Sequence, residues 1–280
     1  MSALSADFVE REYNLRAAFP DHPQWFARWA ADSAAARARL EASLDLRYGK
    51  GPKQTLDLFP AGESRATLLF IHGGYWRALD KSEHSFVAPP LVAQGIGVAV
   101  INYDLCPEVG VATIVEQCRE AVVWLKREAP RWRLSAERLV VAGHSAGGHL
   151  TAMLLATDWQ SHGLPGGAIT AGVAISGVFD LEPLLQVSFN SDLKLDAAEA
   201  RALSPIHLRP AIATPLLIAA GAGETSEFIR QSRLMWERWP ECHPRDLHTP
   251  LFILGRHHFS VLSELGDPQS ELVRRTLALV

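Results

Sequence analysis

The chain has 280 residues, of which 48% are hydrophobic and 21% are charged, so it can bury a sizeable core. Its 27 basic and 31 acidic residues give a net charge of −4 without a basic run, which argues against nucleic acid or an anionic membrane as a partner. The three cysteines are too few and too widely spaced for a zinc site or a disulfide framework. The chain also shows no signal-peptide pattern and no apolar stretch of membrane-spanning length, so we expect a cytoplasmic protein.

The first predicted element is a helical segment at about residues 1–45. Residues 24–42 within it are rich in alanine and arginine and predict one helix. Its apolar contacts are expected to be Trp25, Phe26, Trp29 and Leu40. Eight β-type runs follow, at 44–49, 54–59, 66–72, 97–103, 138–143, 171–177, 214–221 and 249–255.

The order of these runs predicts the fold class. Most of them are apolar throughout, which is typical of parallel strands covered on both faces. Helical patterns, the clearest at 114–129, lie between them, so we predict an α/β fold with a mostly parallel central sheet and helices on both faces. We interpret residues 1–280 as a single domain, in which the irregular segment at about 180–210 is a candidate cap over a site.

A candidate nucleophile follows the strand at 138–143. The letters G-H-S-A-G-G-H-L place Gly143, Ser145 and Gly147 in the pattern G-x-S-x-G, between a strand and a helix-forming run. In that setting the serine hydroxyl is exposed on a sharp turn at a helix N-terminus, where the dipole favours developing negative charge. The alternative is a glycine-rich turn with an incidental serine.

A serine nucleophile needs a general base and an acid that orients it. The expected chain order is serine, acid, histidine, with the last two after late strands. Glu224 follows the strand at 214–221, and His258 follows the last strand; by position we favour this pair. Glu227, one helical turn later, Asp180 and His257 stay open as alternatives. Two histidines that flank the serine are interpreted as packing residues: His144 and His149.

The stretch F-I-H-G-G-Y-W ends the third strand and predicts half of an oxyanion hole. Backbone N–H groups must approach a negative oxygen closely there, which favours glycines without Cβ. We expect the donors around Gly73, Gly74 and Tyr75, with Ala146 supplying the other N–H group. Tyr75 and Trp76 would then form walls of an apolar substrate pocket; the alternative is a hydrophobic plug between strand and helix.

Two other motifs fail. A-A-G-A-G-E-T-S has Ser226 where a dinucleotide turn needs its third glycine. No H-E-x-x-H or comparable cluster is present, so we expect neither a metal nor a cofactor.

The motifs together resemble one family. R-E-Y-N-L-R, L-D-L-F, H-G-G-Y-W, N-Y-D-L-C-P, G-H-S-A-G-G-H-L, S-G-V-F-D-L-E-P-L, E-T-S-E-F-I-R-Q-S and H-H-F-S are similar, in order, to the kynurenine formamidases (arylformamidases) of the α/β-hydrolase fold. The resemblance implies Ser145 as nucleophile, Glu224 as acid and His258 as base. The acid of that family is often aspartate, and a glutamate requires a small shift of the backbone or of the histidine.

The resemblance also implies a reaction. It predicts a serine hydrolase that cleaves an N-formyl aryl amide, such as N-formylkynurenine, to formate and the free amine. A carboxylesterase acting on small-acyl or aryl esters is the alternative within the class, and a non-catalytic hydrolase fold that binds a small molecule is the alternative outside it. The expected partner is a small-molecule substrate, and the oligomeric state stays open, a homodimer included.

Overall fold

One sheet organises the part of the chain that the computed structural model describes, residues 5–280. Its eight strands lie in the order β1-β2-β4-β3-β5-β6-β7-β8. Their bounds are β1 Ser43–Arg47, β2 Thr55–Phe59, β3 Ala66–Ile71, β4 Ile96–Ile101, β5 Leu139–His144, β6 Ala171–Ile175, β7 Leu216–Gly221 and β8 Leu251–Ile253. The pairs β1–β2 and β2–β4 are antiparallel, and every later pair is parallel.

The apolar composition of the central strands explains why the sheet is buried. Successive side chains of a strand point to opposite faces. Every residue of β3, β4, β5, β6 and β7 is buried, so both faces of the sheet are covered. β8 is short and only half-buried, because it lies at the edge. The predicted α/β architecture with a mostly parallel sheet is confirmed.

Helices surround the sheet. Their bounds are α1 Ala6–Tyr13, α2 Leu15–Ala18, α3 His22–Arg39, α4 Ala88–Val92, α5 Val111–Glu128, α6 Ala146–Leu155, α7 Asn190–Leu193, α8 Ala197–Ala202, α9 Ser226–Arg238 and α10 Glu271–Leu277. The helix predicted at 24–42 is α3, which begins earlier because Pro23 fits the first helical turn. The predicted helical segment at about 1–45 includes residues 1–4, which lie outside the described residues. Within residues 5–280, no helix combines the length and the apolar character needed to cross a bilayer.

The parallel strands bring distant residues to one edge of the sheet. β3, β5, β6, β7 and β8 run in the same direction, so the loops after them meet at their carboxyl ends. Those loops carry Gly74, Ser145, Ser176, Glu224 and His258. In open α/β sheets this edge is where ligands bind. The candidate cap at about 180–210 contains only short helical turns, among them α7 and α8.

Buried histidines predict that the fold is sensitive to acid. Burial lowers the pKa of His72 to about 4 and that of His84 to about 3, the latter with a contribution from neighbouring His72. An unfolded histidine titrates near about 6.5, so the unfolded state binds protons first as the pH falls. The stabilising effect is complete above pH ~6.5, and each histidine is expected to cost on the order of 3 kcal/mol by pH ~4.

Urea unfolding followed by circular dichroism from pH 7.5 to pH 4.5 measures this effect. The midpoint should fall steadily below pH ~6.5. His84→Phe removes one titrating group from an aromatic cluster and should flatten this decline. A midpoint that stays constant between pH 6.5 and pH 5 would show that these histidines are not buried in neutral form.

Candidate active site

Ser145 lies on a sharp turn between β5 and α6. Its φ of 57° and ψ of −117° are unusual for a residue with a side chain. Two glycines make the turn sterically feasible: a Cβ on Gly143 would lie 2.2 Å from the Gly147 oxygen, and one on Gly147 would lie 2.0 Å from the Ile71 oxygen. The pattern G-x-S-x-G therefore has the strand-turn-helix setting that the sequence predicted.

Glu224 and His258 form a buried pair. His258 Nδ1 lies 2.9 Å from Glu224 Oε2, and the two side chains are 2% and 0% exposed. With the Nδ1 proton donated to the carboxylate, Nε2 is left as the acceptor of the ring. His258 and Ser145 line the same cavity. Ser145 Oγ forms no hydrogen bond with any residue in the described range 5–280.

The carboxylate of Glu224 has further donors on its other oxygen. The backbone N–H of Gly221 donates to Oε1 over 2.8 Å, and the hydroxyl of Ser176 donates to the same oxygen. The glutamate side chain thus folds back on the end of its own strand. Ser176 follows β6 with a φ of 51°. Sequence reasoning missed this serine, although its position directly after a strand was a signal.

The alternative histidine and acids have other partners. His257 Nε2 lies 3.1 Å from Asp21 Oδ2, and its ring stacks on Phe19 at 4.7 Å. Asp180 pairs with Arg230 at 3.4 Å, away from the cavity lining.

Glu227 is also bound elsewhere. It is buried, pairs with Arg230 at 2.8 Å and accepts a hydrogen bond from the Tyr13 hydroxyl. It is therefore neither a surface residue nor part of the cavity wall.

The two histidines that flank the elbow support their neighbours. His144 Nε2 donates to the His258 carbonyl oxygen over 2.8 Å. Burial, and then the neighbouring His258, hold the pKa of His144 well below its usual range, so the ring stays neutral. His149 donates to the Leu203 carbonyl oxygen, and burial lowers its pKa to about 4. His149 is a packing residue, whereas His144 lies in the cavity wall and holds the backbone of His258.

The loop after β3 adopts an unusual backbone. Gly74, Tyr75 and Trp76 have successive φ values of 97°, 49° and 56°, all in the left-handed region. A Cβ on Gly74 would lie 2.2 Å from the Ala78 oxygen, so this position requires glycine. Gly73 packs closely as well, since its Cβ would lie 2.8 Å from the His144 oxygen.

This conformation leaves backbone donors free. Within residues 5–280, the N–H groups of Gly74, Tyr75 and Ala146 have no hydrogen-bond acceptor. Gly74 and Tyr75 line the cavity, and Ala146 follows the serine at the N-terminus of α6. Free amides in this arrangement can stabilise a negative oxygen.

Trp76 corrects the sequence-based pocket. Tyr75 lines the cavity as predicted, whereas Trp76 is fully buried and absent from its walls. The Trp76 ring packs edge-on against His149, with centroids 4.9 Å apart. The left-handed turn directs successive side chains to different sides, so Trp76 is the hydrophobic plug that was the alternative interpretation.

The cavity has mostly aromatic and aliphatic walls. Its empty volume is about 580 Å³, including the space at the open mouth. The side of the N-terminal segment is formed by Tyr13, Asn14, Leu15, Arg16, Phe26 and Trp29. The other wall residues include Leu79 from the loop after β3, Phe189 from the 180–210 segment, and Phe259, whose ring packs edge-on against Phe26. The contribution of the N-terminal segment was not predicted, although its aromatic residues were a visible signal.

Hydrogen bonds hold the N-terminal segment on the site. Thr225 Oγ1 donates to the Glu12 carbonyl oxygen over 2.9 Å, and Ser226 Oγ donates to Glu12 Oε2 over 2.7 Å. The Tyr75 hydroxyl donates to the Tyr13 carbonyl oxygen over 2.9 Å. The segment thus connects the loop that carries Glu224 with the loop that carries the free amides.

This chain is similar to known hydrolases over most of its length. The BD-FAE family model matches residues 56–238, a range that contains Ser145 and Glu224. The kynurenine formamidase of Salmo salar is 28% identical over an alignment of 298 positions, gaps included, which covers 99% of this chain and 97% of that protein.

Solved structures extend the comparison. A protein of Silicibacter sp. TM1040, provisionally assigned as a thioesterase, is 35% identical with a TM-score of 0.83, covering 95% of this chain and 97% of that one. A carboxylesterase cloned from a metagenomic library is 19% identical with a TM-score of 0.68, covers 100% of this chain and 96% of that one, and shares the fold. The predicted α/β-hydrolase fold is confirmed.

Tyr75→Phe tests the hydrogen bond that braces the loop after β3, which carries the free amides of Gly74 and Tyr75. It removes the bond to the Tyr13 carbonyl oxygen while the ring stays in place, so the left-handed turn loses a restraint against a strain of about 1–3 kcal/mol. We expect kcat for p-nitrophenyl acetate to fall about tenfold, with little change in KM. Tyr48→Phe, which removes another buried hydroxyl outside the cavity, is the control. Equal kcat values in both variants would show that the brace does not matter.

Proposed function

We propose that this chain, which belongs to the BD-FAE family of α/β hydrolases, is a serine hydrolase that releases formate from an N-formyl aryl amide such as N-formylkynurenine. The observation that carries the proposal is the buried His258–Glu224 hydrogen bond beside a cavity that also exposes Ser145. Similarity to a kynurenine formamidase along nearly the whole chain supports the choice of substrate.

The first chemical step forms an acyl-enzyme. Ser145 Oγ attacks the formyl carbon while His258 Nε2 accepts its proton. Glu224 holds the histidine through Nδ1 and stabilises the charge that the ring gains. Because Glu224 accepts three hydrogen bonds, its carboxylate is fixed before the reaction starts.

The oxygen of the tetrahedral intermediate then needs donors. The free N–H groups of Tyr75 and Ala146 supply them, and that of Gly74 is a third candidate. Backbone donors that are already fixed require no reorganisation as the charge develops, and removing one typically costs about 10²–10³ in turnover.

Collapse of the intermediate expels the aryl amine, which takes the proton from His258. Water, activated by the same histidine, attacks the formyl-serine, and formate leaves. The aromatic walls, including Phe26 and Phe189, suit an aryl leaving group, because aromatic rings pack favourably against one another.

Small-acyl or aryl esters are the second candidate substrates. The structural similarity to a protein provisionally assigned as a thioesterase favours a broader acyl specificity. A serine hydrolase can cleave esters and formamides through the same kind of acyl-enzyme. Binding without catalysis is a third function; stoichiometric labelling of Ser145 by a fluorophosphonate would exclude it.

The first test measures kcat/KM for N-formylkynurenine and for p-nitrophenyl acetate. We expect a value above about 10⁴ M⁻¹s⁻¹ for the formamide, within the usual range for a true substrate. Ser145→Ala should lower turnover by on the order of 10⁶. Ser161→Ala, which changes an exposed serine outside the cavity lining, is the matched control. Turnover of the ester alone would show that the protein is an esterase. A loss of only about tenfold in Ser145→Ala would show that Ser145 is not the nucleophile.

The acid has its own test. Glu224→Gln keeps the size of the side chain but removes its charge, so we expect kcat to fall by about 10³–10⁴. Asp180→Asn makes the same change at the rejected acid and should stay within a few-fold of the wild-type rate. Steady-state kinetics of both variants on p-nitrophenyl acetate compares them. A large loss in Asp180→Asn with a small one in Glu224→Gln would reverse the assignment.

A further inference from the structure

The cavity has an unusual charge for this protein. The chain carries a net charge of −4, yet no aspartate or glutamate lines the cavity within the described residues. Its ionisable lining consists of Arg16, Arg77, His144 and His258, besides two tyrosines. Among the described residues, the cavity lining thus includes two arginines and no carboxylate, although the molecule as a whole is anionic.

Arg77 is already neutralised. Its guanidinium pairs with the carboxylate of Asp192 and lies 5.0 Å from the ring centroid of Phe189. A guanidinium that already pairs with a carboxylate and packs on an aromatic ring binds a further anion only weakly.

Arg16 has no such partner. It makes neither a salt bridge nor a side-chain hydrogen bond with any residue from 5 to 280. Its guanidinium carbon lies 5.7 Å from the ring centroid of Phe26, another wall residue. The side chain is exposed, whereas Ser145 and His258 are only 3% and 2% exposed. Arg16 therefore stands at the mouth of the cavity and the reacting groups lie at its inner end.

We propose that Arg16 binds a carboxylate at the outer end of the substrate and so selects acidic aryl substrates over neutral ones. A guanidinium presents paired N–H donors that match the two oxygens of a carboxylate. The aromatic walls between mouth and serine hold the ring, so one substrate spans the cavity with its acyl group inside and its charge outside. The proposal deepens the proposed function and rests on its hydrolytic site.

The neighbouring structure keeps Arg16 in position. α2 starts directly after Asn14, whose side chain accepts a hydrogen bond from the Ala17 N–H group. Glu12 and Tyr13 are tied to the loop that carries Glu224. The backbone that carries Arg16 is thus anchored to the catalytic loops, and a contact at the mouth can orient the substrate inside.

The test compares two esters that differ in one charge, 4-acetoxybenzoate and its methyl ester, with acetyl release followed by chromatography of the phenol. For Arg16→Gln we expect KM for the acid to rise about tenfold, kcat to change little, and the methyl ester to be unaffected. Arg16→Lys should recover part of the loss, because it restores the charge without the paired donors. Salt at 0.5 M should weaken binding of the acid in the wild type only.

Arg138→Gln is the matched control. Arg138 is also exposed and without a salt bridge in the described residues, but it precedes β5, at the opposite end of that strand from Ser145. It should leave both KM values unchanged.

Two results would overturn the proposal. An equal loss for acid and methyl ester in Arg16→Gln would assign Arg16 a structural role, and unchanged KM values for both would remove it from recognition. If neither ester is turned over, calorimetry measures the Kd of 4-acetoxybenzoate for Ser145→Ala and for Arg16→Gln/Ser145→Ala. Equal Kd values in the two variants would overturn the proposal. A charge preference without hydrolysis of N-formylkynurenine would retain Arg16 and reject the formamidase assignment.

Discussion

The hydrogen bond between His258 Nδ1 and Glu224 Oε2 joins two side chains that are almost completely removed from water. A carboxylate in such a position is costly unless it is fully hydrogen-bonded. The surrounding structure meets this requirement with donors from three separate parts of the chain, His258, Ser176 and Gly221. These partners fix the direction of the histidine ring, and the rest of the proposed mechanism depends on that direction.

A second constraint is the backbone at the carboxyl ends of three adjacent strands. The loops after β3, β5 and β6 contain non-glycine residues whose backbone φ is positive: Tyr75 and Trp76, Ser145, and Ser176. Each such residue costs about 1–3 kcal/mol and persists only where its surroundings hold it. Here buried strands and glycine contacts hold it. The turns after β3 and β5 place Gly74, Tyr75 and Ser145 in the cavity wall, and the turn after β6 directs the Ser176 hydroxyl to Glu224.

The N-terminal segment completes the site in a different way. It provides one wall of the cavity, connects the loop that carries Glu224 with the loop that carries the free amides, and contains Arg16 in the cavity lining. The loops at the end of the sheet thus carry the proposed reacting groups, whereas a segment outside the sheet forms one wall of the cavity beside them. Substrate choice can therefore change through this segment while the proposed catalytic groups stay the same.

The sequence alone determined the features that depend on local pattern. Apolar runs of strand length predicted the sheet, because a strand that is covered on both faces needs apolar side chains at nearly every position. The pattern G-x-S-x-G and the order of Ser145, Glu224 and His258 predicted the candidate triad, because the turn and the strand ends are local. Tertiary structure decided the rest. His257 and His258 both follow the last strand, and although the sequence favoured His258, the partners of the two rings, Asp21 and Glu224, are visible only in the folded structure.

The same reason explains the features that were missed. The prediction that Trp76 lines the pocket was wrong because Trp76 is buried against His149, which lies on another element. Tyr13 and Thr225 gain their roles from contacts that cross more than two hundred residues of chain. A pattern of neighbouring residues holds no information on such contacts, since they form only when the strands and helices pack into one structure.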